Sequence, residues 1–137
     1  MMKTFKLRKL ETLETVEEDI ILHEIPLIDG LIINKEDDYD HWVIEAYLDR
    51  SYQAFFEDLA NRGDEVMLQV KITKESNAPA TFITSIVGIN EIGSNTNVLF
   101  LGTIIDQQKS KVNALLRKLV EEGYQGESLI NKFKEMI

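Results

Sequence analysis

The sequence predicts a mainly β protein: an antiparallel β-barrel with one short inserted helix, followed by a C-terminal two-helix hairpin. Three observations predict it. Residues 1–105 alternate apolar and polar side chains with period two, the mark of strands with one buried face. A single window, residues 49–63, breaks that rhythm with helical spacing. After Asp106 the period becomes 3.6 and stays there to the end.

The strands come first. Phe5 and Leu7 alternate with Lys6 and Arg8. Short apolar runs follow at Ile20–Leu22 and Leu31–Ile33, with Asp29-Gly30 between them as a tight-turn signal. Trp42, Ile44, Ala46 and Leu48 alternate with Val43, Glu45 and Tyr47, which puts Glu45 outside. Val66, Leu68, Val70 and Ile72 alternate in the same way with Met67, Gln69, Lys71 and Thr73. The β-branched run Thr81–Ile92 reads as a long or curved strand, and Gly88 in its middle as a bulge. Val98–Leu101 is the last apolar run. The segments 36–40, 75–79 and 93–97 are polar loops, and about seven or eight strands at this spacing suit a barrel.

In the interruption, Tyr52, Phe55, Phe56 and Leu59 share one helical face, with Asp49 as N-cap and Gly63 as stop. This helix is expected to plug one end of the barrel. Beyond Asp106, itself a plausible N-cap, Val112, Leu115, Leu116, Leu119 and Val120 form one stripe. Gly123 closes that helix. The Gln125-Gly126 turn leaves room only for an antiparallel partner, which presents Leu129, Ile130, Phe133, Met136 and Ile137. The organisation is one domain: a barrel core over 1–105 with the helix pair, 106–137, as part of it.

Composition bounds the function. A chain of 137 residues, 44% hydrophobic, suffices for one buried core. It contains no cysteine, which removes disulfides, thiolate metal sites and thiol nucleophiles together. No apolar stretch is long enough to span a bilayer, and charges interrupt the N-terminal residues too often for a secretory signal, so the cytoplasm is expected. The net charge of −9 denies the chain the basic face that nucleic acid needs. The acidity is uneven. Residues 1–105 carry 9 basic against 19 acidic side chains, and residues 106–137 carry 6 against 5.

Chemistry is scarce. His41, beside Asp37, Asp38 and Asp40, would be the core of a divalent-metal site for a hydrolase, but the spacing matches no calcium loop, and a solvated acidic turn is the plainer reading. Glu45 is the most suggestive carboxylate, but its place in the alternation exposes it. There is neither a Gly-x-Ser-x-Gly elbow nor a phosphate-binding glycine loop. Trp42, Tyr52, Phe55 and Phe56 read as core, since no basic residues interleave them for stacking on bases. They would also suit a small apolar ligand held in the barrel interior.

Some stretches are familiar. His23–Asp37 (HEIPLIDGLIINKED), Trp42–Ala46 (WVIEA), Pro79–Phe82 (PATF) and Asn97–Gly102 (NVLFLG) resemble the YwpF-like proteins of Gram-positive bacteria. The resemblance spans the chain and consists of packing and turn residues. It implies a barrel core similar to the tube-forming Hcp proteins of type VI secretion, with a helix pair added, and it implies no activity. The helix pair would interfere with ring stacking, so tube formation is not carried over.

These readings converge on a non-catalytic protein without cofactor or metal, one that interacts with protein or with itself. A homo-oligomer, dimer or tetramer, is expected, formed through the helix pair or an exposed barrel edge. The candidate contact residues are Val112, Leu115, Leu116, Leu119, Leu129, Ile130, Phe133, Met136 and Ile137. Neither nucleic acid nor membrane is expected as a partner.

Overall fold

The computed structural model describes residues 3–16, 19–105 and 109–137, and among the last turns of these segments the side chains of 15, 16, 19, 109 and 110 are left aside. Among the described residues there are seven strands: β1 (Lys3–Val16), β2 (Asp19–Ile25), β3 (Asp29–Asn34), β4 (His41–Asp49), β5 (Val66–Ile72), β6 (Ala80–Ile92) and β7 (Asn95–Ile105). Three α-helices join them: α1 (Gln53–Arg62), α2 (Lys109–Glu121) and α3 (Gly126–Met136). All strand pairings are antiparallel. The order β1-β3-β4-β7-β6-β5 closes on itself through a β1–β5 ladder, giving a six-stranded barrel. The mainly β architecture with an inserted helix and a terminal helix pair is the one the alternation predicts.

Strand β1 divides its work. Residues Lys3–Lys6 pair with β3, while Leu10–Val16 pair with β2 in a hairpin that runs past the barrel. A bulge between Leu7 and Lys9 resets its phase, so Leu7 and Leu10 both point inward although two residues, an even number, lie between them. That slip ends the visible period-two signal at Arg8.

Two expected turns are strand instead. Asp29-Gly30 opens β3 and is no tight turn, and the connection is made by Pro26–Ile28. Gly30 is required there by crowding: a Cβ would lie 2.9 Å from the Leu7 side chain and 3.1 Å from the Glu45 carbonyl. Likewise Asn95–Asn97 belong to β7, because Ile92 pairs with Asn95 across a two-residue turn, Gly93-Ser94. The bulge expected at Gly88 is present, with the β6–β7 register shifting between Ile86 and Gly88.

The barrel interior is solid. Ile32, Ile44, Leu48, Leu68, Phe82 and Phe100 fill it, all fully buried. Helix α1 caps one end with Phe56, whose ring meets Phe100 edge-on at 5.6 Å. Asp49 accepts a hydrogen bond from the Ser51 N–H (2.9 Å) in the single 3₁₀ turn that leads into α1. Gly63 ends it in the left-handed conformation, φ 71°, where a side chain would be strained. Trp42 packs against Phe5 and Phe82 at the other end of the interior.

A second core lies outside the barrel. Met67 of β5 and Ile83 of β6 point outward, and α2 and α3 cover them with Val112, Leu116, Leu119, Leu129, Ile130 and Phe133. Both faces of β5 are therefore buried from Val66 to Val70. The Gln69 side chain, on the outer phase, donates a hydrogen bond to Asn113 of α2 (3.2 Å). The N-cap expected at Asp106 falls outside the described residues, while Gly123 follows α2 as expected, with φ 100°.

Candidate functional site

The acidic turn is a local structure. Asp37 accepts hydrogen bonds from the N–H groups of Tyr39 (3.1 Å) and His41 (2.9 Å), and its second oxygen lies 3.0 Å from His41 Nδ1. The His41 N–H above all holds the Asp37 carboxyl below the ordinary carboxylate range. Asp38 and Asp40 face solvent. Among the described residues no three His, Asp or Glu side chains approach closely enough to hold a metal ion. The hydrolase reading thus loses its ligand set, since the turn brings only Asp37 and His41 together.

Glu45 lies on the outer face of β4, as its alternation requires, and accepts a hydrogen bond from the Asn97 side chain (2.9 Å). His23 sits between Glu14, 3.6 Å away, and the ring of Phe55. Trp42, Tyr52, Phe55 and Phe56 belong to the barrel core or pack against it. The barrel interior between them is occupied by the buried side chains of Ile32, Ile44, Leu48, Leu68, Phe82 and Phe100.

The helix-pair stripe is spoken for by its own chain. Val112, Leu116, Leu119, Leu129, Ile130 and Phe133 are buried in the second core, and Leu115 packs on its margin. They present no free face to a partner, because the outward side chains of β5 and β6 occupy the space that a partner would take. Only Met136 and Ile137 of the expected contact residues are exposed, at 45% and 47%.

Exposed apolar side chains are scattered over the surface, at Ile21, Ile28, Ile92 and Ile104 among others, and one partly apolar sheet face is left uncovered, the outer face of β3, β4 and β7. Two cross-strand rows make it. In one, Ile33 pairs with Val43 and Val43 with Leu101. In the next, Leu31 pairs with Glu45 and Glu45 with Leu99. Rows of this kind bring side chains within about 5 Å of one another. Leu31 is 39% exposed and the other four apolar residues are half-buried, and none of the five belongs to either core. Bulged Val87, 58% exposed, extends the face over β6. The end of α3 borders it, where Lys134 shares a shallow depression with His41, Leu101 and Thr103. The sequence did carry a signal for this surface. Leu31–Ile33 and Val98–Leu101 are apolar in both phases of the alternation, and Val43 interrupts the outer phase of β4.

Among the described residues no helix is long and apolar enough to cross a membrane. Comparison with known proteins places the chain firmly. YwpF of Bacillus subtilis (strain 168) is 40% identical over 136 residues, covering 99% of this chain and all of that one. A crystal structure of a Staphylococcus aureus protein superposes with a TM-score of 0.71 at 28% identity, over 99% of this chain and 93% of that one. The family model described as YwpF-like protein matches residues 3–136, and with it the chain belongs to the YwpF-like family.

Proposed function

We propose that this protein is a non-catalytic interaction module that self-associates through the open outer face of β3, β4 and β7. The observation that carries the reading is the pair of apolar rows, Ile33-Val43-Leu101 and Leu31-Glu45-Leu99, left uncovered while the equivalent face of β5 is roofed by helices. A sheet face of this composition is stabilised by a second apolar surface. Two copies related by a two-fold axis would supply it to each other. The one carboxylate in its middle, Glu45, already has Asn97 as partner, which lessens the cost of covering it. The absence of catalysis is part of the proposal. Both histidines are engaged in local contacts, and neither is paired with a serine or threonine hydroxyl in any described contact.

Light scattering coupled to gel filtration tests the reading. The full chain should run as a dimer or tetramer across the micromolar range, and Leu101→Lys should run as a folded monomer. A wild-type protein that is monomeric throughout that range would overturn it.

A further inference from the structure

The barrel seam opens before its strands end. The β1–β5 ladder stops where Thr12 pairs with Leu68, yet β1 continues to Val16 and β5 starts at Val66. Beyond that pair each strand is held by its other neighbour. Leu13 pairs with Leu22 of β2, and Val66 with Thr84 of β6, so the two edges splay apart. A cleft of about 320 Å³ occupies the gap. That is at the lower end of the ~300–1,000 Å³ range of small-molecule sites.

The walls are apolar: Phe55 and Leu59 of α1 on one side, Leu129 and Ile130 of α3 on the other. The rim is acidic. Glu14, Asp64, Glu65 and Glu127 line it against one cation, Arg62. Arg62 is shared between Asp58 (3.3 Å) and Asp64 (3.6 Å), and Glu65 is held by Lys134 (2.6 Å). Glu14 has only His23, at 3.6 Å, and Glu127 has no ion pair among the described residues.

A second, independent observation points into the same space. Thr12 lines the cleft and is 1% exposed, and its hydroxyl oxygen has no hydrogen-bond partner. A buried hydroxyl left unpaired forfeits the hydrogen bonds it would make in water, so such a group marks a place where a partner belongs. Thr12 and Glu14 lie two residues apart on one strand and so share a face, about 7 Å from each other. One small donor-rich group can reach both.

We propose that the seam cleft binds a primary amine carrying an apolar chain, with the ammonium between Thr12 and Glu14 and the chain between α1 and α3. An ammonium offers three donors and no acceptor, which suits one hydroxyl oxygen and the carboxylates of the rim. The apolar chain suits the walls. A carboxylate or phosphate head would face four acids across an apolar gap, where charges are weakly screened. The site is separate from the open sheet face, and its occupancy does not depend on self-association.

The test is a methyl NMR titration of the full chain, below micelle-forming concentrations, with octylamine, octyltrimethylammonium and octanoate. Octylamine should give saturable shifts at the Met67, Leu129 and Ile130 methyls. Octanoate should bind at least about tenfold more weakly. The trimethylated amine, which has no N–H to give, should fall between them. Thr12→Val should bring octylamine down to the trimethylated amine's affinity and leave that compound unchanged. Glu127→Lys, at an exposed rim position, should weaken both cations and strengthen octanoate. Equal affinity for octylamine and octanoate, or shifts that do not saturate at these methyls, would overturn the proposal.

Discussion

The outer face of β5 and the outer face of β4 and β7 begin from the same pattern and end differently. Both strand sets send Val, Ile, Leu and Phe inward with period two, and both carry apolar side chains on the other phase, Met67 in one case, Val43 and Leu101 in the other. On β5 the helix pair lies over them, so Met67 and Gln69 are as buried as the barrel interior. On β4 and β7 no core cluster reaches them. The difference is created by where the chain's last residues settle, and not by the strands. An apolar outer phase reports that a strand wants covering, without saying what covers it.

The largest effect expected on this contrast is at Phe133, wholly buried against the covered face. Phe133→Ala should cost about 3–5 kcal/mol in denaturant unfolding, as other large-to-small core changes do. The polar tie beneath α2 should matter next. Asn113→Ala leaves the buried Gln69 amide without its acceptor and should cost about 1–3 kcal/mol in the same measurement. On the open face, Leu101→Ala should cost less than about 1 kcal/mol of monomer stability, since its side chain is only half-buried. It should nevertheless weaken self-association measurably in sedimentation. If Leu101→Ala were as costly as Phe133→Ala in dilute monomer, the two faces would not differ as described.

The smallest effect concerns the acidic turn at the margin of the open face. The native Asp37 carboxyl is held below its ordinary value of 3.8, first by the His41 N–H. A carboxyl lowered on folding adds stability that is complete above the unfolded value and is lost as the pH falls through the native one. Acid unfolding below about pH 4 should therefore be shallower in Asp37→Asn than in the wild type.

How much of this was legible follows from the range of the interactions. The barrel, the plug helix with its Gly63 stop, and the terminal stripes are written in local spacing, and all are found, while Asp49 caps the 3₁₀ turn ahead of the helix and not the helix itself. Asp29-Gly30 reads as a turn by its composition, yet its glycine leaves room for the Leu7 side chain, twenty-three residues away, which a Cβ at position 30 would meet at 2.9 Å. The bulge at Arg8 hides the remainder of β1 from any period-two reading. The cleft was invisible for a related reason. It exists because two strands distant in sequence stop pairing at Thr12 and Leu68, and no spacing within either strand records where that happens. The helix-pair stripe is legible as apolar but not its complement, since a stripe does not state whether it packs on its own chain or another; here most of it is buried against β5 and β6.

The closing ladder has a further consequence, for the order in which the molecule assembles. Hairpins β1–β2, β3–β4 and β6–β7 join neighbours in the chain and can form early. The first strand, however, finds its β5 partner only across long stretches of sequence, as the Arg8–Thr73 hydrogen bond spanning 65 positions shows. Ring closure of that length carries a large entropic penalty, repaid only when the contacts are complete. Joining the first strand to the fifth should thus be the rate-limiting event, so Leu7→Ala is expected to slow refolding, whereas Leu119→Ala chiefly hastens unfolding in stopped-flow traces. On the ribosome, the first strand must wait, with one edge open, for residues 66–72 to emerge before the barrel can shut.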